Sequence, residues 1–172
     1  EFQGSDGTNM SGEWSSEYLN EGTMRLADGS EYSGKFGGQG MFASGSLLSI
    51  NGDHYTGRFL DNQYDGKGIL AKTDGSIYVG EFSDGKFSGY GVLKEPNQSI
   101  YSGQFLNGLP DGEGLQSDVS GVVYTGSWKQ GEKHGMGTLD FGDGTNYTGE
   151  FLSGMANSGL YDWGDGIVTD SY

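Results

Sequence analysis

The side chains that could carry catalysis or hold a metal are sparse in this chain of 172 residues. Its two histidines, His54 and His134, lie roughly three to four sequence repeats apart, so they are not expected to share a metal site. Cysteine is absent, which excludes a disulfide scaffold and any cysteine-ligated metal. The Gly-x-Gly pairs open no helix and are not phosphate loops, and no Ser-His-Asp set is apparent. The sequence therefore predicts no enzyme, no metal site and no cofactor.

The composition favours short strands and turns. Glycine accounts for 35 residues, and each glycine inside a helix costs about 1 kcal/mol relative to alanine. Aromatic residues make up 13% of the chain, whereas disordered chains are usually poor in them. Abundant glycine combined with abundant aromatic residues therefore indicates a β-rich chain.

The charge balance disfavours two classes of partner. The chain has a formal net charge of −15, and its nine Lys and Arg residues are scattered along the sequence. Nucleic acids and anionic membranes are bound by clustered cations, so neither is an expected partner. No apolar run approaches the length of a membrane span and no signal peptide is apparent, so the sequence predicts a cytoplasmic protein.

A motif of the form Tyr-x-Gly-x-aromatic recurs along the chain. Its six regular copies begin with tyrosines spaced 23 residues apart. These copies are Tyr32-Gly34-Phe36, Tyr55-Gly57-Phe59, Tyr78-Gly80-Phe82, Tyr101-Gly103-Phe105, Tyr124-Gly126-Trp128 and Tyr147-Gly149-Phe151. An imperfect earlier copy, Met10-Gly12-Trp14, precedes them. Copies that keep one register over this length indicate a tandem-repeat protein.

Two further signals keep the same register. Gly-x-Gly pairs follow the tyrosines at Gly66/Gly68, Gly89/Gly91, Gly112/Gly114 and Gly135/Gly137. Turn pairs come next, at Asn51-Gly52, Asp74-Gly75, Asp143-Gly144 and, less typically, Ser120-Gly121. An Asn-Gly or Asp-Gly pair between alternating runs is a strong signal for a hairpin turn, since both residue types tolerate positive φ. Each repeat is therefore predicted to be one β-hairpin.

The alternation of side chains along a strand predicts two different faces. The Tyr, Gly and aromatic residue of each motif share one face, whereas the residues between them, such as Thr56, Arg58 and Ser102, form a polar, solvated face. The Gly-x-Gly segment is the predicted partner strand, where glycine lets an aromatic ring approach closely. One hairpin is too small to be stable, so neighbours must stack. The sequence thus predicts an all-β fold, a single elongated, twisted antiparallel sheet of tandem β-hairpins.

The combined pattern resembles the MORN repeat (membrane occupation and recognition nexus). The segment from Asp74 to Gly91, DGSIYVGEFSDGKFSGYG, is similar to the family pattern throughout. The resemblance covers residues 10–166 as about seven repeats, with anchors at positions 10, 32, 55, 78, 101, 124 and 147. It leaves residues 1–9 as an N-terminal extension, which we expect to include a cloning remnant, and residues 167–172 as a C-terminal tail.

The resemblance implies protein binding and no catalysis. MORN arrays occur as protein-binding adaptors, as cytoskeletal scaffolds and as modules beside enzyme domains. The all-repeat chain is also similar to small adaptors of the retinophilin type, which are associated with class III myosin tails. It therefore implies a cytoskeleton-associated adaptor whose groove captures a peptide or helix of another protein, such as a myosin tail. The alternatives are a self-associating scaffold, for example a homodimer, and a module of a larger enzyme or a phospholipid-binding module, which the acidity opposes.

The aromatic stripe has two alternative roles. Its rings can form the core, or they can stay partly open as a groove for a partner strand or helix. The residues predicted to contact a partner are those of the middle repeats: Tyr55, Phe59, Tyr78, Phe82, Tyr101, Phe105, Tyr124 and Trp128. Four apolar residues outside the consensus are predicted to mark specificity: Tyr64, Phe87, Tyr90 and Met136.

Overall fold

The structure, a computed structural model, describes residues 1–15, 18–166 and 168–171. The chain divides into two compact units, residues 1–86 and 87–172. Both units are built from antiparallel β-strands. None of the helical residues described in the structure forms a segment with the length and apolar character needed to cross a membrane.

The first unit contains eight strands and one short 3-10 helix. In chain order these are β1 (Phe2–Gln3), β2 (Asn9–Ser15), β3 (Tyr18–Arg25), β4 (Glu31–Phe36), the 3-10 helix (Gly38–Gly40), β5 (Phe42–Leu48), β6 (His54–Leu60), β7 (Gln63–Ala71) and β8 (Ile77–Ser83). Each strand pairs with the next one in the chain, from β1 through β8.

The second unit repeats this arrangement with eight further strands. They are β9 (Lys86–Lys94, whose first residue is the last of the first unit), β10 (Ile100–Leu106), β11 (Leu109–Ser117), β12 (Val123–Lys129), β13 (Glu132–Asp140), β14 (Asn146–Leu152), β15 (Met155–Asp162) and β16 (Val168–Ser171). Pairing again follows chain order, from β9 through β16.

The predicted all-β fold of tandem antiparallel hairpins is confirmed, and no α-helix occurs among the described residues. Each regular Tyr-x-Gly-x-aromatic motif forms one strand, and the following Gly-x-Gly segment lies in the next. Strand β16 falls in the segment assigned to the C-terminal tail, residues 167–172, of which Ile167 and Tyr172 lie outside the described residues.

Two kinds of connection alternate along the array. Tight two-residue turns join the strands of one repeat, as at Asn107-Gly108, where both residues have positive φ, 53° and 90°. Longer loops join one repeat to the next, and these contain the predicted pairs such as Asp74-Gly75. There only Gly75 has positive φ, 93°, while the Asp74 side chain accepts a hydrogen bond from the Ser76 backbone N–H. The hairpin turn predicted at Asp74-Gly75 is therefore confirmed as the connection between the antiparallel strands β7 and β8, and the Asp74 side chain organises it as a longer loop.

The tyrosines and the second aromatic residues of the motifs form a continuous packed layer within each unit. In the second unit the Tyr101 ring lies edge-on to Phe105 and Trp128, with centroids 5.0 Å away in both cases. Its hydroxyl donates a hydrogen bond to the Gln104 carbonyl, 2.9 Å away. The same pattern recurs at Tyr124, which packs edge-on against Phe151. Edge-on rings with satisfied hydroxyls allow this layer to exclude water from one side of the sheet.

A row of glycines runs across the strands beneath the tyrosine rings. In the second unit this glycine row is formed by Gly91, Gly103, Gly114, Gly126, Gly137, Gly149 and Gly159, which face one another across successive strands. A Cβ added at Gly114 would lie 2.4 Å from the Tyr101 hydroxyl oxygen. No side chain larger than hydrogen fits there, which confirms the predicted close approach of an aromatic ring.

Candidate functional site

The side chains that share a face with the tyrosines, called the aromatic face, form the core. All eight residues predicted to contact a partner are buried there: Tyr55, Phe59, Tyr78, Phe82, Tyr101, Phe105, Tyr124 and Trp128. The most exposed of them, Phe59, retains 7% of its accessible surface. Direct contact between these rings and a partner would require the aromatic face to open, and it stays a prediction.

The side chains that alternate with the tyrosines form the opposite surface, called the second face. The sequence predicted this face to be polar, and in part that prediction was wrong. Exposed apolar side chains lie among its hydroxyl and charged groups: Leu48, Ile69, Ile77 and Val79 in the first unit, and Tyr90, Val92, Ile100, Leu115, Met136 and Leu160 in the second. The polar residues Thr56, Arg58 and Ser102 do lie on it, but the middle strands also carry β-branched residues between the tyrosine and glycine positions.

The second face of the second unit has two hollows over parts of the glycine row. One hollow, about 520 Å³ in volume, crosses β9 to β12 and has Gly91, Gly103 and Gly114 in its floor. Its walls carry the side chains of Tyr90, Val92, Ser102, Glu113 and Thr125. A second hollow, about 700 Å³, has Gly149 and Gly159 in its floor and walls formed by Met136, Thr148, Glu150, Ser158, Leu160 and Asp170. Glycine contributes no side chain, so the backbone itself forms the floor of what we call the groove.

The groove of the second unit combines exposed apolar groups with carboxylates. Tyr90 and Met136 remain 64% and 63% exposed, so most of their apolar surface is available to a ligand. The charged residues in its walls are Glu113, Glu150 and Asp170, and none of the residues lining either hollow is a cation. The two hollows therefore present apolar groups and negative charges together.

The first unit has a cavity of similar size with a different lining. It has a volume of about 700 Å³ and lies between β1 and β5. Hydroxyl groups of Ser11, Thr23 and Ser33 line it, together with Arg25 and Glu31. These last two residues form an ion pair with 3.9 Å between Arg25 Nε and Glu31 Oε1, so this cavity compensates its own charge.

The four apolar residues outside the consensus separate into two pairs. Tyr64 stacks on the Tyr55 ring with centroids 3.8 Å apart, and Phe87 lies 5.8 Å from the Phe105 ring, so both extend the aromatic layer. Tyr90 and Met136 instead lie exposed on the second face. Strand alternation explains this difference. Tyr90 and Met136 each lie directly next to a glycine of the row, whereas Tyr64 and Phe87 do not.

Burial changes the acid–base chemistry of the aromatic layer. Loss of solvation raises the pKa of Tyr55, Tyr101 and Tyr124 to about 12 in each case. Nearby carboxylates act in the same direction, as Asp111 does for Tyr101. Lys133 lies 5.1 Å from the Tyr124 ring centroid, and desolvation lowers its pKa.

The two histidines belong to different units of the chain. His54 lies on β6 of the first unit, where its Nε2 hydrogen-bonds with Ser46 Oγ, and His134 lies on β13 of the second unit. Within the described part of the chain, no group of three or more His, Cys, Asp or Glu residues is arranged to hold a metal ion.

The chain belongs to the MORN repeat family. The family model matches five consecutive segments, residues 55–77, 78–99, 101–123, 124–146 and 147–168. The two earlier repeats, anchored at positions 10 and 32, form hairpins in the structure but lie outside the matched segments. Comparison with curated protein sequences finds no match.

Solved structures with the same fold include two domains, one from Drosophila Melanogaster and one from Danio rerio. The TCP domain of SAS-4 (dCPAP) from Drosophila Melanogaster, solved in complex with a Proline Rich Motif of Ana2 (dSTIL), is 12% identical with a TM-score of 0.56. The alignment covers 100% of this chain and 88% of that domain. The wild-type TCP10 domain of Danio rerio CPAP is 15% identical with a TM-score of 0.58, over 99% of this chain and 82% of that one. At these identities the likeness shows a shared fold.

Proposed function

We propose that this chain is a non-catalytic protein-binding module that captures a segment of another protein in the groove of its second face. The observation that carries the proposal is the pair of large apolar side chains, Tyr90 and Met136, exposed beside a backbone floor. Exposed apolar groups contribute about 25 cal/mol of favourable binding free energy for each Å² of apolar surface that a partner covers.

The proposal receives support from the dimensions of the groove. It runs across the strands, so one hairpin of two strands advances it by about 9.6 Å. A polyproline II helix repeats every three residues, or about 9.3 Å, so each of its turns faces an equivalent position of the next hairpin. The fly TCP domain of the same fold was solved with a proline-rich motif, which supports an extended, proline-containing ligand for this chain as well.

The eight buried aromatic residues have an indirect part in this proposal. They hold the strands in register and so keep the groove floor in place. Their direct contact with a partner, the original prediction for them, belongs to a variant of the proposal in which the aromatic face opens.

The finer identity of the partner is also a proposal. A cytoskeletal protein, and in particular a myosin tail, is supported by the resemblance to MORN adaptors alone, and so is association with the cytoskeleton. The structure contributes the type of surface that such a segment must match: apolar side chains bordered by carboxylates.

Paired affinity purifications test the groove directly. The double substitution Tyr90→Ser with Met136→Ser removes two exposed apolar groups, one from each hollow of the groove. Leu152→Ser with Met155→Ser removes two exposed apolar groups outside the groove and is the matched control. We expect proteins retained by the parent chain and the control variant to be lost by the groove variant. Equal retention by both folded variants would contradict the proposal.

Self-association is the alternative that the same apolar surface permits. A second copy would have to overcome repulsion between two chains of net charge −15. We therefore expect light scattering at physiological salt to report a monomer at high concentration. A homodimer that dissociates on Tyr90→Ser with Met136→Ser would favour the self-associating scaffold over the adaptor.

A further inference from the structure

The cross-strand pairing of charges differs between the second faces of the two units. In the first unit, basic and acidic residues face each other on neighbouring strands: Glu21 with Lys35, Arg25 with Glu31, and Lys67 with Glu81. Opposite charges in such positions stabilise a sheet modestly and neutralise its surface. The second face of the first unit therefore provides its own counter-charges.

The carboxylates that line the groove of the second unit face uncharged residues on neighbouring strands. Glu113 faces Ser127, Glu150 faces Met136, and Asp170 faces Leu160 on the neighbouring strands. Hydrogen bonds from neutral groups satisfy part of their oxygens, as Ser127 Oγ does for Glu113 at 2.7 Å and Asn157 does for Glu150 at 3.0 Å. Among the described residues, none of these three carboxylates has a basic side chain within ion-pair distance.

The carboxylates and the exposed apolar groups occupy the same walls. Glu113 lines the hollow that contains Tyr90 and Val92, while Glu150 and Asp170 line the hollow that contains Met136 and Leu160. A ligand that covers the apolar groups must therefore pass within reach of the negative charges. An uncharged or acidic ligand would desolvate or repel them, whereas a basic one would neutralise them.

We propose that the groove of the second unit selects basic segments, in which Lys or Arg alternates with apolar residues, as its protein ligands. The inference rests on the proposed function and specifies the partner class. Apolar side chains of the segment cover Tyr90, Val92, Met136 and Leu160, and its cations lie beside Glu113, Glu150 and Asp170. The ammonium or guanidinium groups supply the counter-charge that the first unit supplies from its own residues.

A selection from a random library of displayed 12-residue peptides, with the full chain as bait, tests both the groove and its charge preference. Enriched peptides are synthesised with a fluorophore, and their dissociation constants are measured by anisotropy against folded variants. Glu113→Gln with Glu150→Gln neutralises two groove carboxylates. Glu132→Gln with Asp61→Asn makes the same change of net charge at exposed positions outside the two hollows.

We expect the enriched peptides to be rich in Lys or Arg interspersed with apolar residues. The groove variant should bind them roughly fivefold or more weakly, as expected for two exposed charge pairs, and the matched control should change binding less than about twofold. An equal loss in both variants would overturn the inference, because the net charge and not the groove would then attract the peptide.

The remaining outcomes separate the two proposals. Enriched peptides that need Tyr90 and Met136 but lack basic residues, or that ignore the groove carboxylates, would overturn the charge preference and leave the binding groove in place. If no peptide is enriched, or if Tyr90→Ser with Met136→Ser leaves peptide binding unchanged, both the charge preference and the groove are wrong.

Discussion

The aromatic face and the second face of the same strands both carry apolar side chains, but only the aromatic face covers its own. Tyr101 is 3% exposed among neighbouring rings, whereas Tyr90, eleven residues earlier in the second unit, is 64% exposed. The difference teaches that residue type alone does not separate core from surface in this sheet. Register relative to the glycine row does, since a ring is buried where it lies over a glycine.

Removing one tyrosine ring from each face is the strongest way to examine this comparison. Tyr101→Ala should lower the free energy of unfolding by about 3–5 kcal/mol, because it leaves a cavity between Phe105 and Trp128. Tyr90→Ala removes the same ring from the second face and should cost no more than about 0.5 kcal/mol. Urea denaturation followed by circular dichroism measures both. Similar losses in the two variants would show that Tyr90 is also part of the packed core.

Adding one methyl group to the glycine row should have the next largest effect. The new Cβ of Gly114→Ala would lie 2.4–2.6 Å from atoms of the Tyr101 ring and hydroxyl, so the ring must move. Overpacking of this kind costs about 1–3 kcal/mol. Gly38→Ala is the control, since a Cβ there meets no atom within 4 Å. Thermal denaturation measures the effect. Equal melting temperatures for the two variants would contradict close packing along the glycine row.

Alkaline pH should affect the aromatic face through its tyrosine hydroxyls. Burial raises the pKa of Tyr101 from its ordinary value of 10.0 to about 12. The stabilisation that the protonated Tyr101 hydroxyl contributes is therefore fully present below pH 10 and is lost as pH rises toward 12. The reason is that this hydroxyl loses its proton at a lower pH in the unfolded chain than in the folded chain. Tyr101→Phe should cost about 0.5–1.5 kcal/mol at neutral pH.

The same substitution checks the source of the pH dependence. Denaturant midpoints measured between pH 8 and pH 12 should fall less steeply for Tyr101→Phe than for the parent chain. Tyr55 and Tyr124, whose pKa values are also raised to about 12, should account for the remaining fall of the denaturant midpoint with pH. Parallel profiles for the two proteins would mean that Tyr101 contributes nothing to the alkaline loss of stability.

Much of the fold could be predicted because the repeat fixes local structure. The constant spacing of the tyrosines gave the hairpin unit, and the Gly-x-Gly pairs located the partner strands with their close ring contacts. The tight turns were harder to place. The predicted pair Asp74-Gly75 does lie in a connection between antiparallel strands, whereas the two-residue turns such as Asn107-Gly108 were not among the predicted pairs.

The candidate site was less predictable for a physical reason. The sequence marked Tyr64, Phe87, Tyr90 and Met136 as residues without a consensus role, yet only the last two are exposed. Tyr64 gained a packing role because it stacks on Tyr55, a contact between neighbouring strands that its type does not reveal. Likewise, the predicted polarity of the second face failed at Ile69 and Val79, where two β-branched residues face each other across β7 and β8.

By itself, the sequence determined the repeat, the hairpin, the family and the alternation of two faces, since all of these depend on spacing along the chain. Only the tertiary structure decided which face is closed. Burial of the tyrosines requires rings, glycines and carbonyl groups from several strands to meet, and that meeting closes the aromatic face. The same glycines form the floor of the groove on the other side, where the apolar side chains remain uncovered.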